Sequence, residues 1–176
     1  GGLEVALEGP RVTGHLAGQV RDLAALQPFT QQDLAGAVAL DLRLSAPGGR
    51  QDADLALEAS NVGGTFGRLQ TARLEAGLRD ALGTLGVNAS LMANDFTAPD
   101  LAVHRTTLTA QGPLGALDLR LRTAGEQAGR AFDLDTAATV DAASATRTVR
   151  LTTLDAGYGS ERARLLQPAT ARLAAD

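Results

Sequence analysis

The sequence predicts an all-β chain: an elongated antiparallel meander sheet with one apolar and one polar face, and at most one short helical turn. Three observations predict it. Apolar and polar residues alternate with period two through most of the chain. Turn residues recur at intervals of roughly 12 to 18 residues. No long stretch between them keeps a helical period. Strand side chains point alternately to opposite faces, so a period of two collects the apolar positions of each strand on one face.

The elements follow in order. Leu3, Val5 and Leu7 alternate with Glu4, Ala6 and Glu8 as a first strand. In residues 20–29 the spacing changes. Val20, Leu23 and Leu26 recur every three residues, Asp22 stands where a helix cap would, and Pro28 stands where the helix would stop. A short helical turn is expected there, and one turn alone is marginal, so it must pack on the sheet. Leu34, Gly36, Val38, Leu40, Leu42 and Leu44 then share one parity, with Asp41, Arg43 and Ser45 on the other. A helix would scatter Leu40, Leu42 and Leu44 around its circumference. The strand reading therefore wins here, although Ala and Leu favour helices.

After Pro47-Gly48-Gly49 the alternation resumes at Leu55 and Leu57. Leu74, Ala76 and Leu78 follow, then Leu85, Val87, Ala89 and Leu91, then Leu101 and Val103. Leu117, Leu119 and Leu121 alternate with Asp118, Arg120 and Arg122. Phe132, Leu134, Thr136, Ala138 and Val140 alternate with Asp133 and Asp135, and Val149 and Leu151 flank Arg150. Breakers separate these runs: Gly63-Gly64, residues 80–83, Asn94-Asp95, Pro99-Asp100, Gly112-Pro113, Gly125 and residues 157–159. Strands joined by such short connections pair antiparallel with their sequence neighbours. No linker or composition shift divides the chain. Residues 1–176 read as a single segment of a longer protein, opening on Gly1 and Gly2 in mid-pattern.

Composition narrows the function. Hydrophobic residues make up 44% and aromatic residues only 3%, because Ala (34) and Leu (29) supply most of the apolar content. The absence of Cys excludes a disulfide framework, a zinc ribbon and a cysteine nucleophile. A net charge of −4 argues against a nucleic-acid partner. No apolar run reaches the ~18 residues of a membrane-spanning helix. Phe29, Phe66, Phe96, Phe132 and Tyr158 lie 26 to 37 residues apart, a spacing that could mark a repeating unit.

Signals of chemistry are weak. His15 and His104 are far apart and belong to no paired-histidine motif. Gly157-Tyr158-Gly159-Ser160-Glu161 lacks the form of a nucleophile elbow. Gly63-Gly64-Thr65-Phe66-Gly67 lacks the Lys and Ser/Thr of a phosphate loop and reads as a hairpin. Asn88-Ala89-Ser90 matches a glycosylation sequon, but it falls within a strand. Asp41, Asp118, Asp133 and Asp135 take outward parity beside Arg43, Arg120, Arg122 and Arg130, as cross-strand pairs on a solvated face would. The expectation is a binding module rather than an enzyme, with no catalytic residue, no cofactor and no metal site.

Residues 18–46, GQVRDLAALQPFTQQDLAGAVALDLRLSA, place a short Asp-Leu-x-x-Leu turn ahead of a Leu-Ala-Gly opening and an alternating strand. Residues 151–173, LTTLDAGYGSERARLLQPATARL, place a glycine-bearing hairpin ahead of Leu-Gln-Pro-Ala. Both stretches, and the weakly similar strands between them, resemble the periplasmic region of the TamB family. TamB is the inner-membrane subunit of the translocation and assembly module, within the AsmA-like proteins. The resemblance implies a long sheet of about ten strands bent into an open U, a β-taco, apolar on its concave face. It implies a role in outer-membrane biogenesis, through assembly of barrel proteins including autotransporters and through phospholipid transport. It also implies a periplasmic location within an inner-membrane-anchored protein, and an Omp85-type outer-membrane barrel as partner.

On that reading the groove is lined by Leu40, Leu42 and Leu44, then Leu55 and Leu57, then Leu74 and Leu78. Leu85, Val87 and Leu91 continue it, followed by Leu117, Leu119 and Leu121, then Phe132 and Leu134, then Val149 and Leu151. Its cargo would be a phospholipid or an unfolded outer-membrane β-strand client. The alternative is a structural β-solenoid stalk or surface adhesin passenger with a sealed core.

Overall fold

The computed structural model describes residues 2–8, 11–31, 33–143 and 146–174; the side chains of residues 2–8, 26, 29, 30, 173 and 174 lie outside that description. The chain forms one antiparallel meander sheet. Its strands are β1 (Gly2–Glu8), β2 (Arg11–Val20), β3 (Ala35–Ser45), β4 (Asp52–Gly64), β5 (Gly67–Arg79) and β6 (Gly86–Ala98), then β7 (Leu101–Pro113), β8 (Leu117–Gln127), β9 (Arg130–Asp141), β10 (Thr146–Tyr158), β11 (Glu161–Arg164) and β12 (Ala169–Ala174). Each strand from β1 to β11 pairs with the next in sequence, and β12 pairs with β10. The sheet does not close into a barrel. β11 and β12 lie along the same edge of β10 and run in the same direction, so they act as one last strand broken at Leu166-Gln167-Pro168. Proline has no N–H for the ladder, which is why such breaks occur at edges.

The helical segment is where the spacing places it, with one correction. Leu23–Leu26 forms a 3-10 turn whose cap, Asp22, accepts a hydrogen bond from the Ala24 N–H at 3.0 Å. Pro28 does not end the segment. A single α-turn, α1 (Gln27–Thr30), continues through it. Proline is tolerated in a first turn, where its missing N–H has no intrahelical acceptor. The turn lies against β3, and Leu23 is, among the described residues, the only large hydrophobic side chain that is buried, 9% exposed. The side chains of Leu26 and Phe29 lie outside the described residues.

Three further expectations change. Asn94-Asp95 and Gly125 are not turns but lie inside β6 and β8. Gly36 is left out of the β3–β4 ladder between Ala35 and Ala37, with a φ of 106°. Leu85 precedes β6 and lies at the sheet margin, where its carbonyl accepts the Leu114 N–H. A bulge leaves one residue out of the ladder, so a residue that reads as a breaker can sit within a continuous strand.

The strand ends are tied together by hydrogen bonds beyond the ladder. The Gln51 side chain closes the β2 end. Its Oε1 accepts the Val12 N–H at 2.8 Å, and its Nε2 donates to the Val12 carbonyl at 2.9 Å. The amide thus imitates a strand residue. Asp52, 6% exposed, accepts the Asp80 N–H at 2.9 Å, and the Ala81 N–H bonds to the Gln51 carbonyl. Gln51→Ala should therefore lower stability by about 1–2 kcal/mol in urea titration. An unchanged unfolding midpoint would mean that water replaces the amide at no cost.

The sheet stands as a single layer. The principal contacts of each strand are with its sheet neighbours, and those of the short turns are with β3 and β9. The accessible surface is 11612 Å², whereas a compact monomer of 18.0 kDa exposes roughly 8,000 Å². That excess is what a sheet without a covering layer produces.

Candidate functional site: the uncovered apolar face

Register converts the alternation of single strands into rows that cross the sheet. Leu40, Leu57, Leu74, Leu91, Leu108 and Leu121 are successive cross-strand partners from β3 to β8, giving six leucines abreast. On one side of this row run Leu42, Leu55, Ala76, Ala89, Ala110, Leu119, Ala138 and Leu151. On the other run Val38, Ala59, Ala72, Ala93, Thr106, Thr123 and Leu134. Rows on one face are spaced about 7 Å apart along the strands. The leucine row therefore stands between a row of alternating Leu and Ala stretches and a row of Ala, Thr, Val and Leu.

The expected lining residues lie on this face, Leu85 at its margin apart. Leu44 and Leu78 extend it toward the 46–51 and 80–85 turns, as do Val87, Leu117 and Val149. All of these side chains are half-buried. Leu108, Leu154, Leu69 and Phe96 belong to the same face but escaped the parity reading, and Val103, read as part of an alternating run, joins them. In β7 the unpaired His104 shifts the parity between Val103 and Thr106, and in β10 the ladder shifts between Leu151 and Thr153. A signal was present: Leu101/Val103 and Thr106/Leu108/Ala110 are two alternating runs offset by one residue.

The aromatic spacing has a spatial outcome. Phe96, Phe132 and Tyr158 fall in one row with Val62, Leu69, Val103 and Gly125. Phe66, 50% exposed, is in the turn after β4 at the same end of the sheet. Phe29 lies outside the described side chains. Arg130 stacks over the Tyr158 ring, 5.7 Å from its centroid.

The opposite face is charged. His15 Nε2 and Asp41 Oδ2 are 2.8 Å apart, and Arg43 Nε lies 3.2 Å from Asp41 Oδ1. Arg73 spans Glu58 and Glu75, and Arg122 pairs with Asp135. Two expected partners differ. Asp133 binds Arg162 at 2.6 Å rather than Arg130, and Asp118 accepts the Thr139 hydroxyl at 2.8 Å. Glycines explain part of this pattern. The Asp133–Arg162 pair lies across Gly157, and the Asp54–Arg79 pair across Gly77, where a Cβ would intrude. The surface hollows described for this chain are on this charged face and at its ends.

The His15 hydrogen bond holds the Asp41 carboxyl below the ordinary carboxylate pKa, with the charges of His15 and Arg43 acting in the same direction and desolvation opposing them. A depressed folded-state pKa stabilises above the unfolded value, near 4, and that stabilisation is lost as pH falls through the folded value. His15→Ala should raise the Asp41 pKa in an NMR titration. An unmoved midpoint would assign the effect to Arg43.

Among the described residues no group of three or more His, Asp or Glu is placed to hold a metal ion. His104 is exposed, far from His15 in the sheet.

Fold and site together define a class: an all-β protein of one antiparallel meander sheet whose apolar rows share one face. No family model, no curated protein and no solved structure matches the chain.

Proposed function

We propose that this chain is a TamB-like periplasmic segment of an inner-membrane-anchored protein. Its apolar face shelters lipid acyl chains or client β-strands during outer-membrane protein assembly and inter-membrane phospholipid transport. One observation carries the reading: a row of six half-buried leucines and its flanking rows cross one face of a single sheet, and the described residues form no second sheet and no helix longer than one turn. Contiguous apolar surface of this extent marks an interaction site. In this reading the sheet bends into an open U with the leucine rows inside, and an Omp85-type barrel receives the cargo.

The module acts by binding, without a catalytic step. Acyl chains need no directional bonds, so a face of Leu, Ala, Val and Thr suffices. Covering each 100 Å² of hydrocarbon contributes about 2.5 kcal/mol. Such a surface is adhesive without being chemically selective, which suits a conduit.

Mass spectrometry of lipids co-purified with the chain, run beside photo-crosslinking from Leu57 to a barrel precursor, tests the proposal. Lipid in stoichiometric amount or a crosslinked precursor supports it and separates the two cargoes. A chain that carries neither, and that fails to take up a fluorescent apolar probe, would instead be a stalk with a sealed core.

A further inference from the structure

Over β4 to β8 the apolar face carries a matched relief. One row is all leucine: Leu57, Leu74, Leu91, Leu108 and Leu121. The row beside it, on the same strands, is all small: Ala59, Ala72, Ala93, Thr106 and Thr123. Every one of these side chains is half-buried. Ridge and trough thus have equal length and lie about 7 Å apart. The Thr106 and Thr123 hydroxyls bond to each other at 2.9 Å, so covering the trough leaves less hydrogen-bonding capacity unmet.

The next rows outward keep the relation. Beyond the ridge, β5 to β7 present Ala76, Ala89 and Ala110. Beyond the trough, the same strands present Leu69, Phe96 and Val103. Between the trough and that last row runs a line of irregular residues: Gly36, Asn61, Gln70, Asp95 and His104, on β3 to β7, are each left out of a ladder. They reverse the strand parity, which returns Leu69, Phe96 and Val103 to the apolar side.

We propose that a second copy of this chain packs face to face on these rows as a two-fold dimer, the ridge of each copy seated in the trough of the other. A two-fold axis running along the rows, between ridge and trough, sets each strand over its own counterpart and makes both contacts at once. Leu91 of each copy then meets Ala93 of the other, and Leu74 meets Ala72. The same axis sets Leu69, Phe96 and Val103 over Ala76, Ala89 and Ala110, large against small, as facing sheets pack best. No side chain in these four rows is charged. The area suffices as well. Five strands at about 4.8 Å and four rows at about 7 Å give a patch of roughly 700 Å² on each copy. Two such patches bury ~1,400 Å², within the ~1,200–2,000 Å² of stable, specific interfaces. An acyl chain gains nothing from a ridge matched to a trough, whereas a second copy presents both. The pairing belongs to the empty chain and does not rest on which cargo the face takes.

Sedimentation equilibrium on the lipid-free chain tests this. A dimer is expected at concentrations on the order of 10 µM. Leu91→Ala removes part of the ridge, and Ala93→Leu fills part of the trough while making the face more apolar. Each should weaken dimerisation roughly tenfold or more. The double variant Leu91→Ala/Ala93→Leu exchanges ridge and trough at the same contact and should recover most of the parent's affinity. Circular dichroism checks that each variant is folded, and Leu74→Ala with Ala72→Leu repeats the test on β5 if one is not. A chain that stays monomeric well above that concentration overturns the proposal, as does a dimer indifferent to both single changes or a double variant weaker than either. Ala93→Leu tightening the association, or open-ended aggregates in place of a dimer, also overturns it, since the face would then be merely adhesive.

Discussion

Leu91→Arg is expected to weaken binding of an apolar chain on the order of 100-fold while leaving the sheet folded. Leu91 stands in the middle of the leucine row, between Leu74 on β5 and Leu108 on β7. Losing one leucine contact removes about 1.5–3 kcal/mol of apolar burial, and each 1.4 kcal/mol is tenfold in affinity. A guanidinium in the path adds the cost of desolvating a charge. Folding survives because the position is only half-buried, and a long side chain can carry its charge to water. Apolar-probe titration with circular dichroism as the folding control reads both effects. Unaltered probe affinity in a folded variant would remove the leucine row from the proposed site. Met92→Arg, on the charged face, is the matched control and should bind as the parent does.

Gly125→Val is expected to be the most damaging single change to the fold, costing roughly 3 kcal/mol or more. Gly125 is buried within β8, where β7 approaches without room for a side chain. A Cβ there would meet the Ala102 carbonyl oxygen, the Val103 Cα at 2.9 Å and the Phe132 ring at 2.9 Å. Two of these three are backbone, which cannot move without breaking the β7–β8 ladder. Thermal unfolding should show a large fall in Tm or an insoluble chain. Gly129→Val, in a turn where a Cβ meets nothing within 4 Å, has open space but a φ of 74°, so its smaller cost reports backbone strain alone. Equal costs at the two sites would mean that β7 yields more readily than its ladder suggests.

Legibility followed hydrogen-bond regularity. Where strands pair without interruption, as β4 and β5 do between Ala53 and Thr71, period two names every residue of the apolar face. Where a bulge intervenes, the same rule assigns the wrong face or sees a break. Asn94-Asp95 reads as a turn because Asn and Asp favour turns. The residues do adopt turn-like geometry at Asp95, but β6 continues past it. Leu108 was missed for a related reason, since His104 offsets it from Val103. The ion pairs were legible as a class but not as partners. Asp133 reaches Arg162, 29 residues away, because β9, β10 and β11 lie side by side and Gly157 leaves the space between them open.

The sequence by itself determined the antiparallel meander, the two-faced character of its strands and the place of the helical turn. Those follow from side-chain alternation and local turn chemistry, which act between residues close in the chain. Tertiary structure alone decided that six leucines stand abreast, that the irregular residues align across five strands and that all strands join one sheet rather than two. Register and bulge alignment are settled between strands, by hydrogen bonds whose partners no single strand specifies. Whether a face is covered depends on all the strands at once, so the same alternation that would build a sealed sandwich here leaves an open sheet.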